Sequence, residues 1–221
     1  MDGGAVLKAV FWDNDGVLVD TEHLYFEATR ATLAEIGVTL TQAAFVDLSL
    51  CQGRSVFDIA RDRFDDIAIE QMRERRNRRY AERLRAGVAP LPGVESVLAA
   101  LHGRVTLAVV TSSNLDHFEL MHGASGLLRW FDFTLTNCDY ARSKPHPDPY
   151  DAALARAGCR ADEAVAIEDS ERGLAAARAA GLRCIVVPRG FTRGGEFRGA
   201  YRVLEDVGEV GAVLKGMSEG G

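Results

Sequence analysis

The 221-residue chain has no run approaching the roughly 20 apolar residues that a membrane-spanning helix needs. It also lacks a C-x-x-C pair: Cys51, Cys138, Cys159 and Cys184 are scattered along its length. That spacing argues against a zinc or disulfide framework and predicts buried thiols in a reducing, cytoplasmic compartment. Basic charge is not in excess. The 26 Lys and Arg stand against 32 Asp and Glu, a formal net charge of −6. No broad cationic field exists to attract nucleic acid or anionic lipid. The start, Met1-Asp2-Gly3-Gly4, has no cationic segment and no long apolar stretch, which predicts no secretory leader. There is no internal repeat and no low-complexity segment. What is present is ordinary globular composition, 47% hydrophobic and 26% charged. The length suits one large domain, or a core with an insertion. The acidic balance and the lack of an obvious apolar patch predict a monomer or weak dimer.

Short apolar, β-branched runs lie at residues 7–12, 105–110, 131–135, 164–167 and 184–187. Helical patterns at 94–101, 150–157 and 172–180 separate most of them, and Gly181 is placed to end the last. Strands alternating with helices predict a parallel sheet covered on both faces. The alternation fails from Thr21 to Gly87, where helical periodicity continues through 24–36, 42–50, 56–64 and 67–84. Two prolines and two glycines at 87–93 read as a linker. The expected class is therefore α/β, a Rossmann-like parallel-sheet core of residues 1–20 and 88–221 with a helical insertion at 21–87. The tail, 216–221, is expected to be disordered.

In an open parallel sheet, ligands bind beyond the carboxyl ends of the strands. After the first run come Asp13 and Asp15, one residue apart, then Gly16. Two carboxylates that close repel unless a cation lies between them or one is protonated. After the second run come Thr111, Ser112, Ser113 and Asn114. Ser143-Lys144-Pro145-His146-Pro147-Asp148 precedes a later helix, and Glu168-Asp169-Ser170 follows the fourth run. Asp13, Glu168 and Asp169 are hard oxygen donors that suit Mg²⁺. Thr111 and neighbouring N–H groups can donate to phosphate oxygens, and Lys144 supplies a point charge. A carboxylate nucleophile approaches an anionic phosphate only where that charge is offset. The set points to phosphoryl transfer through an aspartyl-phosphate.

These four segments resemble the haloacid dehalogenase superfamily, in the helical-cap branch that includes β-phosphoglucomutase and small phosphatases. D-x-D-G-V-L-x-D-[ST]-E matches Asp13 to Glu22, the strand-end Ser/Thr matches Thr111, G/S-K-P-x-P-D matches Ser143 to Asp148, and E-D-S-x-x-G matches Glu168 to Gly173. The resemblance implies roles. Asp13 is the nucleophile and a metal ligand. Asp15 is the acid/base, with its backbone carbonyl on the metal. Thr111 and Lys144 hold the phosphoryl group, and Glu168 and Asp169 position Mg²⁺. It implies that 21–87 is a cap. Asp15 favours phosphate esters over halides, because an alcohol leaves with a proton and a halide does not.

Within the cap segment, Gly53-Arg54-Ser55 resembles the short loop facing the site in this branch. Arg76 stands where a K-N-x-x-Y stretch places its lysine. Arg54, Arg76, His23, Ser112 and Ser113 are therefore candidate substrate contacts. The His that touches the acid/base in the mutase falls on Tyr25, and the Arg after G-x-S falls on Val56. Both departures favour a phosphatase of a small phosphorylated metabolite, such as a sugar phosphate, over a phosphomutase. A non-catalytic phospho-acceptor domain is a third reading, disfavoured by Asp15 and the insertion. Plainer readings stand beside these: a turn at Asp13–Asp15, helix capping at 111–113 and 168–170, a surface position for Lys144, and a solvated face for the arginine run 73–79. His23 divides between packing and specificity. His102, His117 and His122 are expected at the surface. Asn14 is more polar than the usual occupant of its position, and no sequence argument explains it.

Overall fold

The computed structural model describes residues 6–219. Met1-Asp2-Gly3-Gly4 and the last two glycines lie outside them. Six parallel strands form one sheet: β1 Ala9–Trp12, β2 Thr106–Val110, β3 Phe133–Leu135, β4 Ala164–Glu168, β5 Arg183–Val186 and β6 Arg202–Val203. The order across the sheet is β3-β2-β1-β4-β5-β6. β1 therefore pairs with β2 on one side and β4 on the other, and the chain changes direction of travel at that point. A crevice opens at the carboxyl ends of strands at such a switch point.

Alternation along the strands builds two cores. Val10, Trp12, Leu107, Val109, Val165 and Ile167 face one side. Ala9, Phe11, Ala108, Val110, Ala164 and Ala166 face the other. Both faces are covered, so the central strands read as unbroken apolar runs. The helices are α1 Glu22–Ala34, α2 Gln42–Phe45, α3 Asp66–Arg85, α4 Val94–Leu101, α5 Leu115–His122, α6 Asp148–Ala157, α7 Glu171–Ala179 and α8 Val210–Glu219. Gly181 follows α7 at φ +78°, as its position predicts.

α1 to α3 lie between β1 and α4. They bury their own cluster, including Phe26, Leu33, Phe45, Phe57, Ile69 and Met72. α3 starts where the Asp65 side chain accepts from the Ala68 N–H. A smaller cluster of Val19, Ala28, Tyr80, Leu84 and Met121 joins these helices to the end of α5.

Three expectations need correction. The tail is not disordered through 216–219, because Val210 and Leu214, one turn apart, are buried in the same cluster as Val97 and Leu98 of α4 and carry the following residues into α8. The thiols are not uniformly buried. Cys51 and Cys138 are exposed, Cys159 is half-buried, and Cys184, on β5, is buried. The patterns at 42–50 and 56–64 are broken helices. α2 passes into a π-helical turn, Val46–Cys51, and Val56–Ala60 is a 3₁₀ turn. Gly53, at φ +64°, separates the two. β6 was not visible in sequence because its two residues are exposed and carry no β pattern.

Candidate active site

β1 delivers Asp13 to the crevice, and a tight turn brings Asp15 to the same side. The Asn14 carbonyl accepts from the N–H groups of Val17, Leu18 and Val19 at 3.3, 2.8 and 3.2 Å, and the Gly16 N–H donates to Val19 at 2.7 Å. Gly16 sits at φ +82°, and a Cβ there would overlap the Asp169 carboxylate. Only glycine suits both demands. The plain turn reading and the chemical one thus coexist.

Asp13, Glu168 and Asp169 each offer an oxygen, all within 4.8 Å of one another. Lys144 is buried between them, not at the surface. Its Nζ donates to Asp13 Oδ1 at 2.7 Å and to the Val110 carbonyl at 2.8 Å, and lies 2.6 Å from Glu168 Oε1. Tyr150 donates to the same Glu168 oxygen, while Glu168 Oε2 is buried with no partner. Gly173 packs so closely on Glu168 that a Cβ would overlap its carboxylate. Ser170 caps α7 by accepting from the Gly173 N–H at 3.1 Å, so capping and carboxylate placement share one loop.

One cation does not balance this group. Burial pushes Asp13 up to about 7 despite Lys144, with Glu168 and Asp15 adding repulsion. Burial, then Glu22 and Asp13, holds Asp169 well above the usual carboxylate range. Burial and the Asp15, Asp13 and Asp20 charges push Glu22 up to about 8. Burial pulls Lys144 down, but Asp13 and Glu168 outweigh it and hold it above the ordinary lysine range. Packed carboxylates with an unpartnered buried oxygen are the donor set a divalent hard cation takes.

Asp15 accepts from Ser113 Oγ at 2.7 Å and Asn14 Nδ2 at 3.2 Å, and from the Thr21 hydroxyl. Thr111 is buried beside Asp13, and its Oγ1 accepts from the Ser113 N–H at 3.1 Å. Residues 111–113 do not cap α5; Asn114 occupies that place. Ser112 Oγ is buried without a partner in the pocket wall.

The helices supply the opposite wall of a cavity of about 380 Å³. Glu22 and Tyr25 come from α1, Arg76, Asn77 and Tyr80 from α3, and His117 from α5. Arg76 stacks on Tyr25 at 4.3 Å, donates to its hydroxyl, and donates to Asn77 Oδ1 at 2.8 Å. The arginine run is therefore not one solvated face. Arg76 turns inward, and Arg79 reaches Glu35 and the Thr32 hydroxyl.

Two candidates lie elsewhere. Arg54 is exposed and reaches Asp58 at 3.5 Å, because Gly53, not Arg54, fills the loop's inward position. His23 is exposed and pairs with Asp20 at 3.3 Å, because Glu22 and Tyr25, three apart, own the inward face of α1. His117 and His122 are buried, contrary to expectation, since α5 packs beneath the pocket; His102 is exposed as expected. Glu22, Tyr25, Asn77, Tyr80, His117 and Arg172 were missed. The i, i+3 and i, i+4 spacings of 22/25 and 76/80 were the available signal.

A family model described as haloacid dehalogenase-like hydrolase matches residues 10–187. The chain belongs to that family. It is 32% identical to protein CbbY of Cereibacter sphaeroides over 94% of this chain and 96% of that protein. A solved structure of CbbY from Rhodobacter sphaeroides, an Asp-to-Asn mutant in complex with xylulose-(1,5)-bisphosphate, superposes with TM-score 0.79 at 29% identity, covering 93% of this chain and 97% of that one. The fructose-1-phosphate phosphatase YqaB of Escherichia coli K12 is 29% identical over 80% of this chain and 95% of that protein. This haloacid dehalogenase-like chain is a phosphoric monoester hydrolase, which removes the non-catalytic phospho-acceptor reading. Among the described residues, no helix is long and apolar enough to cross a membrane.

Proposed function

We propose that this haloacid dehalogenase-like hydrolase is a magnesium-dependent phosphatase of a small phosphorylated sugar, working through an aspartyl-phosphate on Asp13. The observation that carries the reading is the buried cluster of Asp13, Lys144, Glu168 and Asp169, with Asp15 beside it, at one end of a metabolite-sized cavity. In this reading residues 1–20 and 88–221 form the catalytic core and 21–87 the cap, in a cytoplasmic monomer or weak dimer.

Mg²⁺ fits the donor set. Asp13, Glu168, Asp169 and the Asp15 carbonyl would hold it, and it would offset the charges of the carboxylates and the phosphate. The protein's own groups do the rest. Lys144 and Thr111 hold the phosphoryl oxygens, and Lys144 favours the ionised, nucleophilic form of Asp13 against the burial that raises it. An Asp13 oxygen bonds to phosphorus as the ester P–O bond breaks. Asp15 gives its proton to the departing oxygen, then takes one from the water that cleaves the acyl phosphate. Arg76, Tyr25 and Asn77 would meet the sugar hydroxyls, with Ser112 available to the phosphate. Tyr25 is engaged with Arg76, and Val56 is buried in the helical cluster. Neither serves as the His or Arg of a mutase-type site, which supports hydrolysis over isomerisation.

The test is phosphate release from p-nitrophenyl phosphate and a panel including fructose 1-phosphate and xylulose 1,5-bisphosphate. Release with Mg²⁺, loss with chelator and recovery on Mg²⁺ return are expected. No release from any substrate overturns the reading. Glucose 6-phosphate formed from β-glucose 1-phosphate primed with glucose 1,6-bisphosphate would replace it with a mutase.

A further inference from the structure

Asn14 is fully buried between the two site aspartates, and its side chain begins a chain of hydrogen bonds leading away from the pocket. Its Nδ2 lies 3.2 Å from Asp15 Oδ2 and 3.0 Å from Met121 Sδ. Its Oδ1 lies 2.6 Å from His122 Nε2, and His122 Nδ1 lies 2.9 Å from Ser125 Oγ. Ser125 Oγ in turn accepts from the Leu127 N–H at 3.2 Å.

The Asp15 end sets the direction of the bonds that lead to His122. A backbone N–H only donates, and an ionised carboxylate only accepts. The Asn14 amide therefore donates to Asp15, which leaves Asn14 Oδ1 to accept from His122 Nε2–H, and His122 Nδ1 as an acceptor. Ser125 Oγ, 2.9 Å from that nitrogen and 3.4 Å from the His122 carbonyl, gives its one proton to the nearer Nδ1. Burial pulls His122 down to about 4, so the ring is neutral with one N–H, as this direction requires. The other donors to Asp15, Thr21 and Ser113, are hydroxyls that can rotate. The Asn14 amide cannot turn without facing a carbonyl oxygen to a carboxylate.

We infer that Asn14, locked by His122, is a positioning residue that fixes the orientation of the Asp15 carboxyl toward the departing ester oxygen. The inference rests on the proposed phosphatase reading, in which Asp15 hands its proton to that oxygen as the P–O bond breaks. Folding alone does not require the pair. A buried polar pair contributes little net stability over apolar groups of the same shape. Its directional effect falls on one carboxylate.

The test compares kcat/KM for phenyl phosphate, whose leaving oxygen needs a proton, with that for p-nitrophenyl phosphate, whose leaving oxygen needs it far less. Asn14→Leu is expected to lower the first about tenfold more than the second. His122→Leu should reproduce that selective loss. His122→Gln, which keeps a donor to Asn14, should restore most of it. The Asn14→Leu/His122→Leu double variant should lose no more selectivity than either single one. His122→Leu leaves the Asp13–Val19 turn untouched and carries the test should Asn14→Leu fail to fold. Equal loss on both esters in both variants overturns the inference while leaving the phosphatase reading intact. Wild-type protein inactive on both esters and on the sugar phosphate panel overturns that reading, and the inference with it.

Discussion

The pocket has two walls built on different principles. One is made of strand ends: Asp13 after β1, Thr111 after β2, Glu168 at the end of β4 and Asp169 just beyond. Its side chains are buried and, Thr111 apart, charged, and glycines let the backbone close around Glu168 and Asp169. The other is made of helix faces: Glu22, Tyr25, Arg76, Asn77, Tyr80 and His117. Its groups are a mixture of aromatic, neutral polar and charged side chains, and several remain half-exposed. Charge packed at that density suits a narrow class of ligand, in the proposed reading a cation with a phosphate. A mixed aromatic and polar wall accepts many shapes. In the proposed reading chemistry belongs to the first wall and selectivity to the second, and substitutions should separate them.

The strongest test of the contrast is Asp13→Asn. An amide is neither a nucleophile nor an anionic ligand, so kcat is expected to fall on the order of 10⁴-fold or more. Steady-state phosphate release measures this, and residual activity within about tenfold of wild type would remove Asp13 from its role.

A second test uses the unbalanced charge of the strand-end wall. Without metal, Asp13 at about 7 and Glu22 at about 8 keep protons that the unfolded chain, with values of 3.8 and 4.5, has released. Stability from these groups is fully present below the unfolded values and lost as pH rises through the folded ones. Metal-free protein should therefore have a lower Tm at about pH 8 than at about pH 5, and Mg²⁺ should raise Tm more at the higher pH. Equal Mg²⁺ shifts at both pH values would show that the cation does not relieve these carboxylates.

The smallest effects belong to the helical side. Arg76→Ala should raise KM for a sugar phosphate about tenfold, with a lesser change in kcat, because it removes binding without touching the reacting atoms. Arg54→Ala and His23→Ala should stay within about twofold, since both side chains point away from the cavity. A larger effect of Arg54→Ala than of Arg76→Ala would reverse the assignment of this wall.

The strand-end wall was legible in the sequence because each member follows an apolar run, and a parallel sheet gathers run ends at one edge. Asp13, Asp15, Glu168 and Asp169 needed only that rule, whereas Lys144, in the loop before α6, was found from its Pro-flanked place in the series of motifs. The helical wall was half legible. Arg76 was identified, but Arg54 and His23 were chosen where Gly53, Glu22 and Tyr25 face the cavity. Helix rotation decides such matters, and it follows from which side chains fill the cluster of Phe26, Phe45 and Phe57. His117 and His122 read as surface residues because their burial depends on what packs over α5.

The sequence by itself determined the first five strands, most of the helices between them, the parallel sheet and the acidic cluster, because these follow from local periodicity and from turns that only glycine makes. The tertiary structure alone decided which helix faces look inward, why Glu168 keeps an unpartnered oxygen, and what Asn14 does. Its partner His122 lies 108 residues away, and no local pattern records a contact across that distance.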